Sequence, residues 1–209
     1  MFRACVALVG LLAVSASVSA GQGGSAATRR AASTKLAKDA TCVSALGAGV
    51  KTNRSFCDVI IANTPARSVA MAIPPHTGAA TLLFDLHNRF SAPAGPTDPA
   101  QAFQRHTVVV GVIRPTGEVI DRAAVVGEFR TVQDLFDRIT GTGPAGVKAV
   151  APGPAQAVRV TIPAGVQAIG IVGIRQDIDT RTAHAAFTTP GRPVAIVSNM
   201  RIEYVPGRQ

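Results

Sequence analysis

Asp85 and His87 stand two residues apart within an apolar run, AATLLFDLHNR over residues 79–89. In an extended strand that spacing puts both side chains on one face. An imidazole beside a carboxylate can ligate a metal or act as an oriented base. Asn88 and Arg89 follow directly, so Asp85, His87, Asn88 and Arg89 form the densest polar cluster in the chain and are its candidate ligand-binding residues. The competing reading is a strand end whose polar side chains satisfy loop backbone groups. It weighs more, because two ligands do not make a site and no third lies at a diagnostic spacing. No metal or other cofactor is expected, and no residue is assigned a catalytic role.

Other chemistries find weaker footing. Asp177 and Asp179, near Thr180 and Arg181, offer two carboxylates for calcium, but without a Gly-centred loop or a distal Glu they read better as a solvated turn. Ser198 sits in V-S-N between two expected strands, and no G-x-S-x-G elbow is present. His76, His87, His106 and His184 carry no motif, although a triad assembled from distant parts of the chain stays open. Asp85, Asp121, Glu128 and Glu203 are acids whose separation in space would decide any glycosidase reading. No phosphate loop or dinucleotide fingerprint occurs.

The chain is basic, with Lys+Arg 21 against Asp+Glu 12 and a formal net charge of +9. Arg supplies 17 of the 21 basic residues and favours bidentate contact with carboxylate, phosphate or sulfate. A groove lined by Arg89, Arg105, Arg122 and Arg130 would suit a polyanion. Against this, the Arg residues are scattered singly, with Arg29-Arg30 the one adjacent pair. An aromatic sugar platform is disfavoured, because the chain has no Trp, one Tyr and eight Phe that a core would claim.

The N-terminus sets the expected compartment. Arg3 supplies a positive n-region, residues 4–14 an apolar stretch too short to span a bilayer, and Val18-Ser19-Ala20 the small residues of a cleavage site. Residues 1–20 therefore read as a signal peptide cut after Ala20. Export makes nucleic acid an improbable partner, and no membrane span is expected after cleavage. Residues 21–40 are small, polar and basic, and read as a flexible leader. Cleavage also removes Cys5 and leaves Cys42 and Cys57, an even pair that reads as one disulfide in an exported chain.

From Cys42 onward, short runs rich in β-branched residues alternate with turns. Hydrophobic residues make up 47% of the chain and charged ones 16%, which argues against disorder over most of its length. Residues 41–209 are expected to form a single all-β domain, an antiparallel β-sandwich of jelly-roll or Greek-key type. Expected strands cover 56–62, 68–73, 79–86, 107–113, 118–129, 147–150, 157–162, 166–172, 183–188, 193–197 and 200–205. Arg114-Pro115-Thr116-Gly117 suits a type I turn and makes 107–129 a hairpin. Residues 131–140 place Val132, Leu135, Phe136 and Ile139 on one helical stripe, with Thr131 as cap and Gly141 as stop, which predicts one short helix plugging an end of the sandwich. A weaker helical turn is expected at Asp98-Pro99. VAMAIP at 69–74 and VRVTIP at 158–163 suggest two equivalent hairpins, each ended by Pro.

This strand rhythm resembles exported bacterial jelly-roll or Greek-key modules, in spacing rather than in any motif. A periplasmic or extracellular module that binds or assembles, with a cell-envelope polymer or a protein as partner, is the leading expectation. Exposed sheet edges would be its means of association. An exported hydrolase centred on Asp85 and His87, and a polyanion binder using the Arg surface, are the alternatives.

Overall fold

A computed structural model describes residues 32–35, 40–91, 103–139 and 150–207 of the chain. Residues 1–20, read from sequence as a signal peptide, most of the stretch 21–40 expected as a leader, the turn expected at Asp98-Pro99 and residues 140–149 lie outside the described residues. Within the stretch expected as leader, β1 (Ala32–Lys35) pairs antiparallel with the C-terminal strand.

Eight main strands carry the fold. They are β4 (Ser55–Ile60), β5 (Val69–Ala72), β6 (Ala80–Ser91), β7 (Gln104–Ile113), β8 (Val119–Phe129), β9 (Val150–Ile162), β10 (Ala168–Thr180) and β12 (Pro193–Tyr204). Short strands β2 (Ala40–Thr41), β3 (Ala45–Ala48) and β11 (His184–Phe187) extend the margins. One six-stranded sheet has the order β3-β4-β12-β6-β9, with β1 on β12; the other has the order β2-β5-β10-β7-β8, with β11 on β10. All pairings between these strands are antiparallel. Among the eight main strands only β7 and β8 are consecutive neighbours within one sheet; every other step crosses between layers. That strand order is a jelly roll, as the rhythm of short strands suggests.

The core follows from alternation. In β6, Ala80, Leu82, Phe84 and Leu86 are buried between the sheets while Thr81, Leu83 and Asp85 face outward. Val108, Val110 and Val112 of β7, Ile169 and Ile171 of β10, and Val160 and Ile162 of β9 complete the same cluster. The β7–β8 hairpin turns at Arg114–Gly117, where the Gly117 N–H donates to the Arg114 carbonyl at 2.9 Å and Gly117 takes φ 89°. Only glycine holds that conformation without steric cost.

The disulfide joins Cys42, just after β2, to Cys57 in β4, with Cα atoms 5.7 Å apart. Because β2 and β4 belong to opposite sheets, the bond ties the two layers together.

Two sequence expectations are corrected. The helix over 131–140 reduces to a single 3-10 turn, Val132–Asp134. The Asp134 carboxylate accepts the N–H groups of Arg130 (2.6 Å) and Thr131 (2.7 Å), and then the chain extends. Beyond the turn, the Phe136 N–H donates to the Pro152 carbonyl at 2.8 Å and the Ile139 N–H to the Val150 carbonyl at 3.3 Å. Pairing with β9 has replaced the i→i−4 ladder, so tertiary context overrides the helical stripe. Nor does the segment plug an end of the sandwich. Phe136 and Ile139 lie over the outer face of the β4-containing sheet, where they pack with Leu46, Phe56, Ile196 and Val150 in a second small core. The VAMAIP and VRVTIP segments end in Pro as expected, but each leads across to the opposite sheet, so they are interlayer corners and not hairpins.

Candidate functional site

Strand β6 places the four candidate residues. Asp85, His87 and Arg89 share its outer face, and each finds a different partner. Asp85 Oδ2 pairs with Arg54 Nη1 at 2.9 Å and accepts from Asn199 Nδ2 at 3.4 Å. The Arg54 guanidinium also lies 5.3 Å from the centre of the Phe136 ring. Arg89 Nε pairs with Asp58 Oδ1 at 2.8 Å, and the Ser44 hydroxyl donates to the other Asp58 oxygen at 3.3 Å. Burial pushes the Asp58 pKa up, with Arg89 and Ser44 opposing the rise.

His87 is wholly buried. Its Nδ1 lies 2.7 Å from the Gly153 carbonyl and its Nε2 2.9 Å from the Ser198 hydroxyl. A carbonyl only accepts, so Nδ1 carries the proton and Nε2 accepts from Ser198. The rings of Phe56 and Phe136 cover the imidazole at centroid distances of 5.7 and 5.2 Å. Burial lowers the His87 pKa below the usual imidazole value, against smaller raising effects of Gly153 and Asp85, so the ring is neutral. A bulge in β9 makes this possible. Gly153 and Pro154 together oppose the single residue Asn88, which turns the Gly153 carbonyl onto the imidazole. Gly153 is required there, since a Cβ would stand 2.8 Å from Phe129 Cζ.

The Ser198–His87 contact has the hydrogen-bond order of a nucleophile and its base. Its surroundings do not suit that task. Both residues are at most 2% exposed, and the second core seals them beneath Phe56, Phe136 and Ile196. Asp85 turns to Arg54, so the acid and the imidazole do not converge on one concave surface. The shallow pocket of about 210 Å³ nearby is lined by Val50, Lys51, Leu135, Phe136, Asp137 and Arg138, none of which is His87 or Ser198. The Asp137 carboxylate there is already saturated. It accepts N–H groups from Lys51 (2.8 Å), Thr52 (2.9 Å) and Arg138 (2.7 Å), and the Thr52 hydroxyl. Burial pushes its pKa up, but these donors outweigh that and hold it below the usual carboxylate value.

Asn88 alone of the four faces the space between the sheets. It is 1% exposed, and its amide has no hydrogen-bond partner among the described residues. It lies against Gly127, where a Cβ would stand 2.6 Å from Asn88 Nδ2. Gly127 is the register partner of His106, whose ring packs on Phe129 at 5.2 Å and whose Nε2 meets Gln104 Oε1 at 3.0 Å. Burial, assisted by the charge of Arg192, lowers the His106 pKa to about 4.

The remaining candidates separate. Asp177 is held by Arg175 through three contacts of 2.7 to 3.0 Å, while Asp179 contacts His184 Nδ1 at 2.6 Å. No cluster of three or more metal-ligating side chains occurs among the described residues. Arg105, Arg122 and Arg130 are exposed on or beside the β7–β8 hairpin, but Arg89 belongs to the other sheet. The four therefore do not line one groove. Sequence reading missed Ser198 as a partner of His87. Its neighbours did carry a signal, because Ile196 and Ser198 alternate along β12 onto the face His87 occupies.

No family profile, curated protein or solved structure matches this chain.

Proposed function

We propose that the chain is an exported β-sandwich module that works by association, binding or assembling in the cell envelope or outside the cell. The carrying observation is strand β8. It is 11 residues long, contains no Pro, and forms the margin of its sheet with nothing paired to its far edge among the described residues. Its outer face is exposed, with Val126 at 53%. The other margins are guarded. β2, β3 and β11 are two to four residues long, and β9 carries Pro152 and Pro154. Short strands and prolines are two of the ways sheet margins avoid pairing, and β8 has neither; its bulge at Ile120 lies near one end, and its charges, Asp121, Arg122 and Glu128, leave an apolar stretch of Ala123 to Val126 between them. The lock on His87 and Ser198 also favours this reading over hydrolysis. The Cys42–Cys57 bond fits an oxidising compartment, in keeping with the signal-like N-terminus.

The test is photo-crosslinking in the exporting cell, with a photoreactive residue at position 126 of β8 or at position 155 of β9. A discrete adduct from position 126 and none from 155 is expected. Adducts from neither, or from 155 alone, overturn the reading.

A further inference from the structure

We infer that the β8 edge is built to receive a second copy of itself, in one antiparallel register centred on Val125. This rests on the association reading above and names its partner. Two edge strands joined in one sheet about a two-fold axis keep their faces, so directly opposed residues must lie on the same face. On the outer face of β8 stand Arg122, Ala124, Val126 and Glu128, all exposed. A two-fold at Val125 sets Arg122 opposite Glu128 of the second copy, and Ala124 opposite Val126. Each contact occurs twice. The result is two opposite-charge pairs flanking an apolar centre, the arrangement that stabilises cross-strand neighbours. On the inner face Val125 meets its own copy and Ala123 meets Gly127, with Asp121 opposite Phe129 at each end of the pairing.

Neighbouring registers lose this match. Centring on Ala124 sets Arg122 opposite Val126 and Glu128 opposite Ile120, leaving both charges unmatched. Centring on Val126 sets Arg122 opposite Arg130 and Glu128 opposite Ala124, so like charges meet. The edge thus selects its register by charge as well as by shape. Arg122 has no ion-pair partner among the described residues, and Glu128 has only Arg130 at 3.9 Å. Both are available to a second copy. The union would merge two six-stranded sheets into one continuous sheet.

The experiment is sedimentation equilibrium of the purified disulfide-bonded protein, as wild type, Arg122→Glu, the double swap Arg122→Glu with Glu128→Arg, and Ala155→Lys on β9. A reversible wild-type dimer is expected. Arg122→Glu should weaken it about tenfold or more, since attraction turns to repulsion at two symmetric places. The double swap should restore it, and Ala155→Lys should leave it unchanged. Circular dichroism of each variant confirms that a lost dimer is not a lost fold. A wild type that stays monomeric overturns the inference, as does a dimer indifferent to Arg122→Glu or one the double swap fails to restore. If the wild type is monomeric while position 126 still crosslinks to another protein in cells, self-pairing falls and the association reading stands.

Discussion

Ser198 donates its hydroxyl proton to Nε2 of His87 at 2.9 Å, across 111 residues of sequence and inside a sealed layer of aromatic and aliphatic side chains. With the Gly153 carbonyl on Nδ1, both ring nitrogens are satisfied. The imidazole joins β6, β9 and β12 on the outer face of one sheet. Removing either partner should therefore cost stability. Ser198→Ala leaves Nε2 buried and unpaired, and should destabilise by about 1–3 kcal/mol. His87→Ala adds a cavity to the lost hydrogen bonds, and should cost about 3–5 kcal/mol. Urea denaturation of the two variants checks this, and equal or higher midpoints would contradict it.

Acid should weaken the fold before the carboxylates titrate. His106 and His87 both have folded pKa values below their unfolded ones, His106 at about 4, because burial disfavours the charged ring. The unfolded chain then binds more protons than the folded one between the two values. Stability is full above about pH 6.5 and is lost as pH falls toward about 4, with His106 contributing on the order of 3 kcal/mol at most. Asp58, whose pKa burial raises, acts in the opposite sense as pH falls through that raised value and opposes part of the loss. Denaturation at pH 7 and pH 4.5 should show the drop, and His106→Leu should shrink it. A flat profile would contradict the burial of these rings.

Reduction of Cys42–Cys57 should destabilise by about 3 kcal/mol, the chain-entropy value for a closed loop of this size. Thermal melts with and without reductant measure the loss, and mass under the same conditions confirms the bond. Because the bond joins the sheets, amide exchange should accelerate at β2 and at the start of β4 first.

Gly49→Ala should be poorly tolerated. Its Cβ would stand 2.1 Å from Asp137 Oδ2 and 2.8 Å from Phe56, with the Asp137 carboxylate fixed by the 51–52 turn. Asp137→Ala should free that turn and cost about 1–3 kcal/mol, as expected when several partly buried N–H groups lose one shared acceptor. If Gly49→Ala melts at the wild-type temperature, the close approach of these residues is wrong.

Much of the architecture was legible because strands report themselves locally. The VVVGVI run of β7, the Pro115–Gly117 turn and the alternation of β6 each follow from residue type and a period of two. The 131–140 stripe misled because its periodicity is real, but Phe136 and Ile139 satisfy it by covering a sheet face in extended form. The strands expected at 147–150 and 157–162 are joined across Pro152-Gly153-Pro154 in one strand, β9 (Val150–Ile162). At a sheet margin the missing donors face away from the ladder, so β9 runs on through a bulge.

The candidate site was legible as a cluster and not as a set of partners. Two-residue spacing correctly put Asp85 and His87 on one face. Nothing local could tell that Arg54, Ser198 and Asp58 would meet Asp85, His87 and Arg89 in turn, since those contacts span 31, 111 and 31 residues. The inward turn of Asn88 was legible, since it continues the alternation of Ala80, Leu82, Phe84 and Leu86 on the inner face of β6; its lack of a hydrogen-bond partner there was not.

Amide hydrogen exchange across a dilution series of the disulfide-bonded protein tests the central claim most directly. Residues 119–129 of β8 should gain protection as protein concentration rises, while residues 154–159 of β9 exchange at an unchanged rate. Exchange in β8 that is independent of concentration, or protection that rises in β9 instead, would contradict the account.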